Sequence, residues 1–452
     1  MNLAKFLLGF MLSGAAFALV AQEKSEENKI KLDSYIDFQW LPVNVASENP
    51  NSEVRNQFDF SLPLHGPYLT NPSGDSITIN WISRVPCAGG VEYREKGAET
   101  FNRVWKKFYG QIDCSDDLHS IHLHGLKPGT EYEYRLVAFA DKSVAYENSV
   151  FAGREIYSFR TLDPKREKYQ VFFTADLHGA ARLILDPMIK AASGETADFY
   201  VFLGDNVEDN LNNARYFLTQ GVLDDVVRKW GKNKPSVFLR GNHDLSGLQQ
   251  YEFGRYFPRV DGKTYFAFSQ GRVLFIVLDS LWQSNAIKEQ NIAYQEYLLE
   301  QVRWLESLKK SAAWKNSEFR VVMAHVATHG GSTQYMADIF KNVLNDNTPE
   351  GRIHYFLAGH EHSYIRVDPG NDFAKVSSPK SIRPFPGDFN YGILIADQQD
   401  ALIMNVEPGK LTFTSYNWTN GEVRDSFRVD ADGKVTDMID NVKVFPPPNR
   451  KK

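Results

Sequence analysis

Five short segments of this 452-residue chain concentrate side chains that can hold a divalent metal ion. They are Asp176-Leu177-His178, Gly204-Asp205-Asn206, Gly241-Asn242-His243-Asp244, His325, and Gly359-His360-Glu361-His362. Carboxylate, imidazole and amide oxygen suit zinc, manganese or iron better than a thiolate-selecting metal. One carboxylate shared between two ions keeps them close together, and such a pair can acidify a water and neutralise charge on a phosphoryl oxygen. The leaving oxygen then needs a proton, and a histidine beside a carboxylate suits that task. Taken singly, an Asp after a strand is a helix cap and an Asn is a turn former. Taken jointly, complementary ligand types at five strand ends point to a metal-dependent hydrolytic site.

Each segment follows an apolar run that reads as a strand: residues 171–173, 199–203, 237–239, 319–323 and 355–357. Another run spans residues 273–278, and helical patterns lie between runs at 180–192, 211–230 and 292–308. Strands apolar throughout belong to sheets covered on both faces, which predicts an α/β domain over residues 168–445. In such sheets ligands bind beyond the carboxyl ends of the strands, so the five segments can converge on one rim. The tail beyond Tyr391 returns to alternating β texture. Residues 58–162 differ, with short alternating runs separated by turns. Ile77, Ile79 and Trp81 alternate with Thr78 and Asn80, and Tyr132, Tyr134 and Leu136 share one face. About seven such strands predict an immunoglobulin-like β-sandwich.

The combined pattern D-x-H, G-D, G-N-H-D, H and G-H-x-H resembles the calcineurin-like metallophosphoesterases over roughly residues 169–365. The resemblance implies an αββα sandwich and two divalent ions, zinc, manganese or iron. It implies Asp176, His178 and His362 on the first ion, Asn242, His325 and His360 on the second, and Asp205 bridging both. It also implies His243 on the phosphoryl group or the leaving oxygen, with Asp244 orienting its ring. A sandwich before such a domain is similar to the purple acid phosphatases, whose leading domain is fibronectin-III-like. Their ligand tyrosine, in a G-D-x-x-Y segment, is Glu208 here, and the first segment supplies His178 instead. Val326-Ala327 replace the common continuation after His325, which keeps His329 as an alternative ligand. Arg215 and Arg240 are candidate phosphate clamps, with structural ion pairing as their other reading.

A net charge of −5 gives no basic footprint for nucleic acid, and a small-molecule phosphate ester is the expected partner. Residues 1–21 carry Lys5, an apolar run and Ala16-Phe17-Ala18, the order of a secretory signal peptide. Residues 22–57 read as a leading arm or linker. Export to the periplasm or the medium is therefore expected, with no membrane insertion after cleavage. Cys87 and Cys114 are the only cysteines, which excludes a Cys-rich zinc site. They form either one disulfide or two separate thiols. His122 and His124 alternate along a strand of the sandwich and read as a solvated face. The expected reaction is hydrolysis of a phosphomonoester or phosphodiester. The alternatives are a nucleotidase or nucleotide pyrophosphatase, and a surface binding protein built on an inactive phosphoesterase scaffold.

Overall fold

Strands that are apolar on both faces need cover on both, and the α/β part of the chain supplies it. The computed structural model describes residues 63–139, 150–208, 210–280, 288–327, 334–371, 373–377 and 389–445. The expected signal peptide and leading arm lie outside the described residues, as do the first five residues of the expected sandwich. Two sheets lie face to face. One has seven strands, running in the order Ser236–Phe238, Phe199–Phe202, Tyr169–Thr174, Asp400–Glu407, Lys410–Asn417, Glu422–Asp430 and Val435–Asp440. The other has eight, in the order Phe266–Gln270, Val273–Val277, Phe319–Met323, Tyr355–Ala358, Gly392–Ile395, Ile365–Val367, Ala374–Val376 and Lys443–Phe445.

The alternation of side chains along these strands sorts the layers. Val171 and Phe173 join Phe199, Val201, Phe275 and Val321 in the core between the sheets. Phe172, Tyr200 and Phe202 point the other way, against the helix Ala181–Ala192 and the helical stretch around Leu218, Val222 and Val226. On the far side Ile276, Val322 and Phe356 pack with Leu298 and Leu305 of the helix Lys288–Leu308 and with Phe340 of the helix Gln334–Leu344. The result is αββα. Tyr169–Thr174, Phe199–Phe202 and Ser236–Phe238 are mutually parallel, and so are Val273–Val277, Phe319–Met323, Tyr355–Ala358 and Gly392–Ile395. The tail strands complete both sheets, with Asp400–Glu407 pairing antiparallel to Tyr169–Thr174.

One helix starts later than its sequence pattern suggests. Leu211 is held in a loop, its N–H donating to Ser246 O at 2.7 Å. Helix begins instead at Ala214, where the Asn213 side chain accepts from Tyr216 N at 3.1 Å and caps the first turn. It continues to Gly231 through two wide π turns.

The leading region is a β-sandwich. Pro63–Thr70, Ser76–Ser83 and Leu118–His124 form one sheet, facing a second made of Tyr157–Arg160, Glu131–Phe139, Ala88–Glu95 and Asn102–Trp105. Val150–Ala152 adds to the second sheet, so the described residues hold one more strand than the expected seven, besides a two-residue-strand hairpin. Ile77, Ile79 and Trp81 face Val91, Tyr134 and Leu136 across the core, as their alternation requires.

Thr78 and Asn80, on the opposite face, are also buried. That face packs on the α/β part, where Tyr68, Ile82 and Leu118 enter the same core as Leu218 and Val222. Asn80 Nδ2 donates to Thr70 Oγ1 at 2.9 Å, which satisfies one of its buried donors. His119 is buried as well. It packs against Trp81 and lies 2.9 Å from Ser83 Oγ, while His122 is half-buried and His124 exposed. Cys87 is buried, Cys114 is exposed, and the two are not bridged.

Candidate metal centre

The five segments meet at the carboxyl ends of the parallel strands. Asp176, Asp205 and Asn242 stand just beyond strands of the first sheet, and His325 and His360 just beyond strands of the second. Backbone bonds tie the loops together: Asp176 N to Gly204 O at 3.1 Å, His178 N to Asp205 O at 3.0 Å, and Gly359 N to His325 O at 2.9 Å.

Backbone conformation singles out the same residues. Eight non-glycine residues have positive φ among the described residues, and five of them are predicted ligands. These are Asp176 (54°), His178 (46°), Asp205 (50°), His360 (75°) and His362 (47°). Each such residue costs roughly 1–2 kcal/mol relative to an ordinary conformation. The strain is offset by hydrogen bonds that only these turns allow. His360 N donates to both Asp176 oxygens at 3.0 Å, and His243 N to Asp205 Oδ1 at 2.9 Å. Two glycines make the close approach possible. A Cβ on Gly359 would lie 2.6 Å from Asp176 Oδ2, and one on Gly241 would lie 2.1 Å from Asp205 Oδ1.

The ligand atoms fall into two groups. Asp176, His178, Asp205 and His362 form one, and Asp205, His325 and His360 the other, with the atoms of each group within 4.8 Å of one another. Asp205 is common to both. Asn242 joins the second group, its Oδ1 lying 3.2 Å from His325 Nε2 and 2.8 Å from His360 Nδ1. In the first group, Nε2 of His178 and Nε2 of His362 face each other at 3.0 Å. His325 Nδ1 donates to Leu203 O at 2.9 Å, which fixes the tautomer and turns Nε2 inward. His329 lies outside the described residues.

Charge in this site is unbalanced without a cation. Asp176 and Asp205 are buried, and their ion-pairing partners among the described residues are all histidines. No lysine or arginine among the described residues pairs with either. Burial would raise the Asp205 pKa, but His325, 3.2 Å away, and His243 bring it well below the carboxylate range. Burial likewise opposes charge on His325, yet the Asp205 carboxylate overrides it and lifts that pKa to about 9. His360 is pushed down to about 4 by burial and by the neighbouring His325. Buried carboxylates ringed by imidazoles, with one amide oxygen, fit divalent cations in donor type and charge. The residues present would hold one ion on each group.

The second layer departs from expectation at Asp244. It is fully buried, and its carboxylate accepts from Gly241 N at 2.8 Å, Asn206 Nδ2 at 3.0 Å, Asn206 N at 3.3 Å and Val207 N at 3.3 Å. The His243 ring is not among these donors. Asp244 therefore clamps the Asp205 loop to the Asn242 loop rather than orienting that ring. The reason is geometric, since the turn Gly241–Asp244 folds the carboxylate under its own backbone. His243 itself is on the rim, with its ring one-third exposed and Nε2 3.8 Å from Asp205 Oδ2.

The candidate clamps are otherwise engaged. Arg215 pairs with Asp117 of the sandwich at 2.6 and 2.7 Å, and Arg240 pairs with Asp279, its Nε 2.9 Å from Oδ2. Three rim residues were not anticipated. Ser280 Oγ accepts from Val326 N at 2.8 Å and so steadies the residue after His325. Asp279 and Ser280 follow the strand Val273–Val277, and Asp397 follows Gly392–Ile395. The strand-end signal that marks the ligands marks these three as well.

Comparison with known proteins agrees with this geometry. The family model described as calcineurin-like phosphoesterase matches residues 169–364. The human serine/threonine-protein phosphatase CPPED1 is 26% identical over 147 residues, which are 31% of this chain and 45% of that protein. The Pongo abelii protein of the same name matches to the same extent, so the match spans under half the length of either relative. Among solved structures, the purple acid phosphatase PPD1 from yellow lupin (Lupinus luteus) superposes with a TM-score of 0.55 at 14% identity, covering 80% of this chain and 74% of that one. PhoD superposes with a TM-score of 0.57 at 12% identity, covering 85% and 92%. At such identities these two show a shared fold. The αββα layers and the family match converge, and residues 169–364 are a calcineurin-like phosphoesterase domain.

Proposed function

We propose that this chain hydrolyses a phosphomonoester or phosphodiester at this rim, with divalent ions that would be held by the two residue groups sharing Asp205. The sharing of Asp205 between both ligand groups carries this reading. Ions held by these residues would supply Lewis acidity toward the phosphoryl oxygens and would make a bound water more acidic. The remaining tasks belong to the chain. Asp176 and Asp205 are held at fixed orientation by backbone N–H donors, so the ligand cage is set before substrate arrives. The partial exposure of His243 beside Asp205 supports its assignment to the phosphoryl group or the leaving oxygen. Glu208 at the position of the purple acid phosphatase tyrosine argues against a tyrosinate-bound iron and its colour.

The phosphatase names of the relatives support the substrate class. We further assign the sandwich to the fibronectin-III-like type, on its three strands facing four with a fifth added at one edge. Export rests on the composition of residues 1–21, and mature protein that retains those residues would refute it.

The test is a substrate panel on protein reconstituted with zinc or with manganese. Monoesters, diesters, nucleotides and sugar phosphates are compared, with metal content measured on the same sample. Turnover of at least one ester, lost on chelation and restored by metal, is expected. A protein holding two ions per chain and inert to every ester would instead favour a binding role.

A further inference from the structure

We propose that the cavity between the sandwich and the catalytic layers binds a small tetrahedral oxyanion on the guanidinium of Arg259. The cavity measures about 100 Å³, and its walls include Asn71 of the sandwich and Arg240, Arg259, Lys263 and Phe266 of the catalytic part. Three wall residues are cationic and none is acidic. Two of the cations are already matched. Arg240 pairs with Asp279, and Lys263 Nζ lies 3.4 Å from Glu300 Oε1 and 2.8 Å from Tyr265 Oη.

Arg259 is different. Among the described residues no carboxylate lies within ion-pairing distance of it. Its Nη1 donates to Asn71 Oδ1 at 2.7 Å, and its plane lies 3.6 Å above the Phe266 ring. Its Nε is buried and has no hydrogen-bond partner among the described residues. Burial draws its pKa below the usual arginine value, with Asp261 the one charge acting the other way. Even so, a guanidinium does not lose its proton in a protein. A fixed positive charge with a buried, unsatisfied N–H thus borders the cavity.

Water can accept that hydrogen bond but cannot balance the charge. An oxyanion does both, through parallel bonds to Nε and a terminal nitrogen. Liquid water occupies about 30 Å³ per molecule, so the space suits phosphate or sulfate rather than a nucleotide. Asn71 of the sandwich already accepts from Arg259, so an anion on that guanidinium would sit where the sandwich meets the catalytic layers. This inference does not depend on the proposed hydrolysis, although inorganic phosphate would be a product of monoester turnover.

Thermal melting of the metal-loaded protein tests it, in phosphate, sulfate or chloride at equal ionic strength. Wild type, Arg259→Lys and Arg259→Gln are compared. Phosphate can also reach the metal centre, but that contribution is common to all three proteins. The wild-type midpoint is expected to rise by about 2–4 °C more than that of Arg259→Gln in saturating phosphate, with Arg259→Lys between them. A matching response to sulfate would mark a general oxyanion site, and a response to phosphate alone would mark a product site. Crystals grown in phosphate should show the anion within hydrogen-bonding distance of Arg259 Nε, a readout that holds even if Arg259→Gln does not fold. Equal midpoint shifts in wild type and Arg259→Gln, or water alone in the cavity, would overturn the proposal.

Discussion

The carboxylate of Asp205 lies 3.2 Å from Nε2 of His325, and both side chains are buried. One residue closes a strand of the first sheet and the other a strand of the second, so this contact joins the two halves of the αββα core at the rim. It also sets the electrostatics, since each group holds the other charged when no metal intervenes. A divalent ion on His325 must displace a proton, so metal uptake should release protons and weaken in acid.

Replacement of His243 separates chemistry from metal binding. Its backbone N–H donates to Asp205, and a His243→Ala chain keeps that bond. Metal content should stay at the wild-type level while turnover falls by roughly 10²–10⁴-fold, the usual worth of a positioned acid or base. Loss of metal in step with activity would reassign His243 to the ligand cage.

Asp244 should behave as a structural clamp. Removing its carboxylate in Asp244→Ala leaves four buried donor contacts, from Gly241, Asn206 and Val207, without an acceptor. A loss of several kcal/mol is expected, about 3–5 on the scale of broken buried polar networks, and is read from denaturant unfolding. A variant with wild-type stability and an altered pH–rate profile would instead restore Asp244 to a role on the His243 ring.

Acid should destabilise the fold through two histidines far from the metal centre. Burial, with Lys106 nearby, holds His119 down to about 4, and burial does the same for His354. The unfolded chain takes up these protons near pH 6.5, whereas the folded chain resists them until about pH 4. The folded state thus binds fewer protons in that window, and stability falls as pH drops from about 6.5 to 4. Each histidine contributes up to roughly 3 kcal/mol of that loss. The contribution is absent above the upper limit and complete below the lower one. Comparing unfolding midpoints of wild type and His354→Gln across this range isolates one of them. An identical pH slope in both proteins would contradict the assignment.

The cluster of candidate ligands was legible in the sequence because its chemistry is local. An apolar run followed within a few residues by Asp, Asn or His fixes both the rim position and the donor type, as with Phe202 and Asp205 or Ala358 and His360. The glycines before Asp205, Asn242 and His360 belong to the same local logic. Non-local facts were not legible. The alternation of Leu402 and Met404 marks a strand, but nothing in it says that this strand pairs with Tyr169–Thr174. The alternation of Thr78 and Asn80 with Ile77, Ile79 and Trp81 marks a strand, but it does not say that docking of the sandwich buries the polar face as well. The motif shows that Asp244 follows His243, but the direction of its carboxylate depends on a turn folding beneath Asn206. Arg215 and Arg240 have the composition of phosphate clamps, and their partners Asp117 and Asp279 lie 98 and 39 residues away.

Metal stoichiometry of the wild type against Asp205→Asn tests the shared-carboxylate centre most directly. The wild type should carry two ions per chain. Asp205→Asn should fold, hold one ion or none, and lose turnover by more than about a thousandfold, or about 4 kcal/mol of transition-state stabilisation. An Asp205→Asn protein that keeps two ions and wild-type turnover would contradict the account.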